Sequence, residues 1–350
     1  MKENRNFSFF AAANGYGGFR SYFDEIFNPK EYTKIYILKG GPGTGKSTLM
    51  KSLYNALKDG ATYTESIYCS SDPKSLDGII IENENKKVAV IDGTAPHEKD
   101  ACFPGAIDKI INLGDGWDKR WLEAKRDDII SLCDEKRNAY KTAYSYLFAA
   151  GVSHRAKCSL SVGLFDIENA QKTIKSSAES LIKTNSPFQS TRLISAFSKS
   201  GYVRFGSPNK TSGKHVGVYG SEEAVSKFLD LFRKGTAEKT GLIRFPSPLD
   251  DSITEGLYYP DSDFSITAST DTNVGICADE FYDIKAIDKE RVRVFSDTEA
   301  RHLKEAERWF NIASDIHMRL EEIYSAAMNF EKNDAITARL TEEISEKIRG

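Results

Sequence analysis

The feature that most constrains this chain is a glycine-rich segment between a predicted strand and a predicted helix. Residues Gly40–Thr48 read G-G-P-G-T-G-K-S-T and match the pattern G-x-x-x-x-G-K-[ST] in full. The apolar run Ile35–Leu38 precedes the segment, and Ser47–Lys58 follows it with leucines at helical spacing. A strand, a loop of this kind and a helix are typical of a phosphate-binding site in an α/β fold. The alternative is a glycine-rich turn that carries Lys and Ser by chance.

Each part of this segment has a chemical role in such a site. Glycine backbones can curl so that successive N–H groups face an anion, and the positive end of the helix dipole adds to the attraction. We expect Lys46 to reach the β- and γ-phosphates of a nucleotide and Ser47 to bind Mg²⁺, which prefers oxygen ligands. The predicted nucleotide-binding residues are Gly40, Gly41, Pro42, Gly43, Thr44, Gly45, Lys46, Ser47 and Thr48.

A carboxylate completes the predicted site. The apolar stretch Lys87–Asp92 reads as a strand that ends in an acid, and we expect Asp92 to hold Mg²⁺ through water. Lys46 and Asp92 are the predicted catalytic residues. Gly93 follows Asp92, where many ATP-hydrolysing proteins with this loop have a glutamate. Hydrolysis is therefore expected to be slow, or another group orients the attacking water.

His97 and Asp72 are weaker candidates. His97 is a possible base because imidazole titrates near neutral pH, although a loop histidine with a structural hydrogen bond is the alternative. Asp72 follows the predicted strand Ser66–Cys69, at the end where parallel strands carry ligands. We expect Asp77 to cap a helix or face solvent. Tyr16 is expected in the core, with stacking on adenine as the alternative.

The chain contains a weak internal repeat. Lys34–Gly40 aligns with Lys214–Gly220, Gly15 with Gly201, and Gly78 with Gly256, in the same order along the chain. Where the first half has its glycine-rich segment, the second has Gly220–Lys227, which includes two glutamates that disfavour a phosphate. We therefore expect one nucleotide per chain, with the second half completing or capping the site.

These patterns predict a fold of the P-loop NTPase class. We expect an α/β, three-layer parallel sheet that is duplicated, with a degenerate second copy. Each half should be followed by long helices, over 117–150 and 301–328. The predicted domains are 1–185 and 190–350, joined by the polar linker Lys183–Thr191.

Composition narrows the range of partners. Lys plus Arg number 48 and Asp plus Glu 51, so the formal net charge of -3 argues against nucleic-acid binding through bulk charge. No apolar run reaches the roughly 18 residues of a membrane span, and no membrane partner is expected. The five scattered cysteines are typical of reduced thiols, which favours a cytoplasmic location. The guanine-selecting motif N-K-x-D is missing, so ATP is expected in preference to GTP.

The chain also resembles a known family. The strings KGGPGTGKSTLMK, YCSSDPKSLDG, VAVIDGTAPH and PGAIDKIINLGDGWD are similar to those of an uncharacterised family of tandem P-loop ATP-binding proteins from Firmicutes, sometimes labelled ATPases or nucleotide kinases. The resemblance is strongest from Phe19 to Trp117. It implies nucleotide binding. In that family the second half often keeps its own P-loop, and this chain departs from the family there.

Three functions remain open at this stage. The first is an ATP-binding protein with slow Mg²⁺-dependent ATPase activity, a hydrolase in which the nucleotide sets the geometry of the two halves. The second is a kinase for a nucleotide or small molecule, with Arg120 and Arg126 as lid cations, although a solvated helix face explains these arginines equally well. The third is a non-catalytic scaffold that senses nucleotide. The protein partner is unknown.

Overall fold

The computed structural model describes residues 4–272 and 275–349. It is an α/β protein with two six-stranded mixed sheets, one in each half. The first half contains β1 Arg5–Phe10, β2 Ala12–Gly15, β3 Gly18–Ser21, α1 Phe23–Ile26, β4 Lys34–Lys39, α2 Lys46–Leu57, β5 Tyr63–Tyr68, β6 Leu76–Asn83, β7 Lys86–Asp92, β8 Asp108–Asn112, α3 Lys119–Ala124, α4 Arg126–Ser159 and α5 Ile167–Leu181. The second contains β9 Gln189–Thr191, β10 Ser195–Ser198, β11 Gly201–Arg204, α6 Ser207–Thr211, β12 Lys214–Tyr219, α7 Glu222–Thr236, β13 Leu242–Pro246, β14 Thr254–Tyr259, β15 Phe264–Ala268, β16 Ile276–Cys277, α8 Lys289–Ala326 and α9 Phe330–Arg349.

The first sheet is mixed, with the strand order β1-β5-β6-β7-β4-β8. β6 is antiparallel to both of its neighbours, and the remaining pairs are parallel. The prediction of a parallel sheet is therefore wrong for this strand. The physical reason is a tight hairpin: Asn83 pairs with Lys86, and Glu84 between them has a φ of +52°. The turn folds the apolar run Ile79–Ile81 back along β7.

The second sheet repeats this topology strand for strand. Read from the matching edge, its order is β9-β13-β14-β15-β12-β16, and β14 is its antiparallel strand. Gly78 and Gly256 occupy equivalent places, each paired with the residue that precedes a register shift in the neighbouring strand. The architecture is consistent with a duplicated α/β fold, as the repeat in the sequence predicts.

The small hairpins β2–β3 and β10–β11 are also equivalent, with one change of register. Gly18 corresponds to Gly201, because each opens the second strand with a positive φ, of +102° and +71°. The sequence alignment had matched Gly15 with Gly201. In the structural register, Tyr16 and Lys199 hold the same position in the two hairpin turns.

Each sheet is covered by helices on one face, and the opposite faces contribute to a core that the two sheets share. α2 and α9 pack on the first sheet, and α5 and α7 pack on the second. In the shared core, the rings of Phe7 and Tyr258 lie 5.2 Å apart and those of Phe9 and Phe245 5.6 Å apart. This differs from the predicted three-layer arrangement, because a second sheet provides the apolar partner that helices would otherwise provide.

The two halves exchange helices. α5 follows the first sheet in sequence but buries Ala170 and Ile174 in the core of the second half. α9 follows the second sheet and buries Leu340 and Ile344 against α2 of the first half. Residues 1–185 and 190–350 therefore each contain one sheet and one helix that packs on the other sheet. Residues 1–3, 273–274 and 350 of these predicted domains lie outside the described part of the chain.

The long helices α4 and α8 pack against each other and connect the halves. They are antiparallel, since Lys136 contacts His317 while His154, further along α4, contacts Glu299, near the start of α8. Their contact is lined by small and apolar side chains at helical spacing, namely Leu132, Ala139, Ala143, Leu147, Ala306, Phe310, Ala313, Ile316 and Leu320. The predicted long helices are thus confirmed, with shifted ends.

Two expectations from composition can be compared with the structure. Within the described residues, none of the helices combines the length and the hydropathy that crossing a membrane requires. Each of the five cysteines is a free thiol.

A buried ion pair connects the two halves. Arg192 follows β9 and donates to Glu65 on β5, at 2.7 Å and 3.1 Å, and both side chains are at most 5% exposed. Removing one partner leaves the other charge buried and unpaired, so we expect Arg192→Met to lower the free energy of unfolding by about 3–5 kcal/mol. Urea unfolding measures this loss.

The matched control for Arg192 is an exposed ion pair. Lys172 and Glu168 lie 2.9 Å apart on α5 with both side chains at least 70% exposed, and Lys172→Met should change the stability by less than about 0.5 kcal/mol. Equal, small effects of the two substitutions would contradict the structural role given to Arg192.

Candidate functional site

The glycine-rich loop, Gly40–Gly45, joins β4 directly to α2. Gly43 and Gly45 have φ angles of +67° and +81°, a backbone region that side chains with a Cβ rarely adopt. A Cβ on Gly43 would also lie 2.6 Å from the carbonyl oxygen of Glu321 on α8. Both the fold of the loop and its close packing therefore require glycine. Pro42 is partly buried in the loop, and Thr48 is exposed on the first turn of α2.

The ammonium group of Lys46 lies within this loop. Its Nζ donates to the carbonyl oxygens of Gly40 and Gly41, at 2.7 Å and 2.9 Å, and lies 3.6 Å from Asp92. The Thr44 hydroxyl donates to Gly41, which holds the turn closed. The hydroxyl oxygen of Ser47 accepts from the backbone N–H of Leu76, at 2.9 Å, so Ser47 connects α2 to β6.

Asp92 ends β7, the strand beside β4. It pairs with Leu38 in the sheet, and this register places its carboxylate beside the start of the loop. The backbone and hydroxyl of Thr94 donate to Asp92 Oδ1, at 2.9 Å and 2.6 Å, and fix its orientation. The structure thus brings Lys46, Ser47 and Asp92 to one end of the sheet, where the sequence analysis expected them.

Asp77 and His97 adjoin Asp92 and form a buried cluster with it. One ligand atom of each lies within 4.8 Å of the others, and this oxygen-rich group could hold a divalent cation. The expectation for Asp77 is wrong: it lies in β6 and is 7% exposed, because the hairpin turns this part of the chain into the sheet. Burial, and then the charge of Asp92, raise the pKa of Asp77 to about 8.

His97 is buried in the same cluster. Its ring stacks on Phe23 with the centroids 4.1 Å apart, and its Nε2 lies 3.8 Å from Asp77. Burial lowers the pKa of His97 to about 4, so the ring is neutral at neutral pH. Its Nδ1 is buried without a hydrogen-bond partner. A neutral, closely packed imidazole of this kind is a weak general base.

Asp72 follows β5 and contacts the second half. Its carboxylate accepts from the Ser75 hydroxyl at 2.8 Å and lies 3.5 Å from Nζ of Lys199, in the turn of the β10–β11 hairpin. Burial opposes ionisation of Asp72, but Ser75 and Lys199 together hold its pKa below the usual value. Lys199 also donates to the Ser314 hydroxyl on α8, at 3.1 Å.

The end of α8 and the start of α9 pack on the loop. The Ser325 hydroxyl donates to the carbonyl of Gly43, at 3.1 Å, and the Asn333 amide donates to the carbonyl of Thr44, at 2.7 Å. On α8, His317 lies 3.4 Å from Lys136 and 3.6 Å from Glu321. Burial, then the charges of Lys136 and Lys46, lower the pKa of His317 to about 4.

The equivalent place in the second half has a different construction. Only Gly220 and Ser221 separate β12 from α7. The carboxylate of Asp279 accepts from the backbone N–H and the hydroxyl of Ser221, at 2.9 Å and 2.6 Å, so an acid of the chain occupies the helix N-terminus. Glu222 opens α7 as Lys46 opens α2, and Ala268 pairs with β12 where Asp92 pairs with β4.

An ionic cluster that is buried except at Glu222 lies beside this degenerate site. Glu222 pairs with Lys157 at 2.8 Å, Lys157 with Glu299 at 3.2 Å, and Glu299 with His154 at 3.1 Å. Tyr16, from the hairpin of the first half, donates to Glu299 at 2.5 Å and is 4% exposed. Tyr16 is therefore a buried residue of the contact between the halves.

Sequence analysis missed the residues that the long helices and the second hairpin bring to the loop. Lys136, Lys199 and His317 are far from the loop in sequence, and they carry no motif. The internal repeat does not identify Lys199, because the sequence register matches Gly15 with Gly201 and only the structural register places Lys199 at the position of Tyr16. The arginines proposed as lid cations are exposed, and Arg126 pairs with the neighbouring Asp127.

Comparison of the chain with protein-family models, with curated proteins and with solved structures finds no match in any of the three.

The electrostatics of the two sites generate the second prediction. Burial alone would lower the pKa of His154, but hydrogen bonds to Cys158 and Glu299 raise it to about 10. We expect an NMR titration to show His154 charged at neutral pH, with His97 and His317 neutral there. Glu299→Gln should lower the pKa of His154 and leave that of His317 unchanged.

The raised pKa of His154 also sets a direction for stability. The stability that the charged His154 contributes to the folded protein is complete below the ordinary histidine pKa of about 6.5. It is lost as the pH rises through about 10. A His154 that titrates near its ordinary value in the folded protein would contradict this cluster.

Proposed function

We propose that the chain is an ATP-binding protein with slow Mg²⁺-dependent ATPase activity, and that the nucleotide binds at the glycine-rich loop. The observation that carries the proposal is the position of Lys46. Its ammonium group lies among the loop carbonyls, 2.7 Å from Gly40 and 2.9 Å from Gly41, and 3.6 Å from the carboxylate that ends the adjacent parallel strand. A cation held between a curled backbone and an acid is suited to a triphosphate and its metal ion.

The residues present fit a magnesium ion. Ser47 and Asp92 offer hard oxygen ligands, and Asp77 adds a second carboxyl group within the same cluster. Bound there, Mg²⁺ would neutralise charge on the phosphate oxygens. The loop amides and the N-terminus of α2 would bind the phosphates, and Lys46 would exchange its carbonyl partners for phosphate oxygens.

The same residues support slow hydrolysis. Gly93 follows Asp92 and brings no carboxylate, and the neighbouring imidazole of His97 is buried and has a pKa of about 4. The groups near Asp92 are therefore poor at accepting a proton from water. ADP release that requires an acceptor would instead indicate a kinase, and binding without turnover would indicate a nucleotide-sensing scaffold.

Substitution of Lys46 tests the proposal. We expect Lys46→Ala to keep the fold and to weaken ATP binding at least about a hundredfold, because charge-assisted hydrogen bonds contribute about 1.5–3 kcal/mol each. Calorimetry with Mg²⁺ measures the affinity. The control is Lys51→Ala, on the same helix, where the side chain is exposed and donates to the Lys74 carbonyl. Unchanged ATP affinity in Lys46→Ala would refute the assignment of the loop.

The degenerate second site predicts the stoichiometry. Asp279 already accepts from the N-terminus of α7, and Glu222 stands in place of Lys46, so negative charge repels a phosphate there. We expect calorimetry to give one ATP per chain. The Lys46→Ala variant should show no remaining site, and a stoichiometry of two would contradict the proposal.

A further inference from the structure

The two hairpins, β2–β3 and β10–β11, each reach from their own half to the site of the other. Tyr16 in the first hairpin contacts Glu299 beside the degenerate site. Lys199, its structural equivalent, contacts Asp72 beside the glycine-rich loop. The same position therefore carries an aromatic hydroxyl where phosphate is disfavoured and a cation where phosphate is proposed to bind.

Lys199 is held in place from several directions. Its ammonium group lies 3.1 Å from the Ser314 hydroxyl and 3.5 Å from Asp72, and its backbone carbonyl accepts from the Asn311 amide at 2.7 Å. The Lys199 side chain is 29% exposed, so it can still reach a ligand. These contacts hold Lys199 between α8 and the first half.

Lys136, on α4, is a second cation in this region. Its Nζ lies 3.4 Å from Nδ1 of His317, a neutral ring at neutral pH, and no carboxylate in the described ranges lies within 4 Å of it. Burial lowers the pKa of Lys136, and the charges of Cys133 and Glu321 offset this only in part. A partly buried lysine of this kind attracts an anion.

Contacts connect both lysines to the glycine-rich loop. Lys199 lies 3.5 Å from Asp72. Asp72 accepts from the Ser75 hydroxyl, and the next residue, Leu76, donates to Ser47 of α2. His317 lies one helical turn from Glu321, whose backbone packs against Gly43 of the loop. Lys136 and Lys199 thus lie next to groups that contact the loop, on a different helix and in a different half from Lys46.

We propose that Lys199 and Lys136 bind the terminal phosphate of the nucleotide at the glycine-rich loop, so that the second half distinguishes ATP from ADP. This inference rests on the proposed function. Loop amides and Lys46 also contact the inner phosphates, which both nucleotides possess. The two additional lysines act on the phosphate that ADP lacks, and Lys199 carries that contact to the second half.

The test compares two ligands in the full-length protein. Calorimetry is performed with ADP and with a non-hydrolysable ATP analogue, each with Mg²⁺. We expect Lys199→Ala and Lys136→Ala to weaken binding of the analogue about tenfold or more and to change ADP binding less than about twofold, since a charged hydrogen bond of about 1.5 kcal/mol corresponds to about a tenfold change. Lys46→Ala should weaken both ligands. Lys210→Ala, at an exposed lysine of α6, is the matched control and should change neither.

Asp72→Asn separates phosphate binding from a purely structural role. If Lys199 served only as the ion-pair partner of Asp72, this variant would lower the analogue's affinity as Lys199→Ala does. We expect it to keep or increase that affinity, because it releases Lys199 from a competing carboxylate. Lys199→Arg should retain the preference for the analogue over ADP. Unchanged thermal unfolding verifies the fold of each variant, and Lys199→Met and Lys136→Met replace an alanine variant that unfolds.

The outcomes distinguish this inference from the proposed function. A wild-type protein that binds neither ligand overturns the proposed function. A wild-type protein that binds both, and loses both in Lys46→Ala, supports it. Equal losses of analogue and ADP in Lys199→Ala, or no loss of either, then overturn the terminal-phosphate assignment alone.

Discussion

The contact between the end of α8 and the glycine-rich loop determines how the rest of the structure relates to the candidate site. Ser325 on α8 donates to the carbonyl of Gly43, and Asn333 on α9 donates to that of Thr44. The loop therefore packs on two helices from the other half of the sequence. The positive φ of Gly43 and its distance from Glu321 make this contact possible only with glycine. The loop and α8 are therefore in direct contact.

The exchange of helices also connects the two halves. α5 and α9 each complete the apolar core of the half that they do not follow in sequence. The sheets share a further core, and Arg192 and Glu65 form a buried ion pair across it. The halves are thus one folding unit in their packing, although their topology is that of two. A nucleotide bound to the first sheet would act on a structure that extends through both.

The sequence allowed prediction of the parts that depend on local pattern. The strand–loop–helix unit around Lys46, the buried strand that ends at Asp92 and the long helices all follow from spacing and apolar runs. The antiparallel β6 was missed because a run such as Ile79–Ile81 has no period that reveals its direction. Asp77 was misplaced for the same reason. Lys136, Lys199 and His317 were missed because only tertiary packing brings them to the loop.

In the second half, the carboxylate of Asp279 lies at the N-terminus of α7. This carboxylate accepts from the backbone N–H of Ser221, the residue before α7, and serves as a tethered counter-ion for the helix dipole. Because this ligand is covalently part of the chain, its local concentration does not depend on metabolite supply. The N-terminus of α7 is therefore permanently self-liganded.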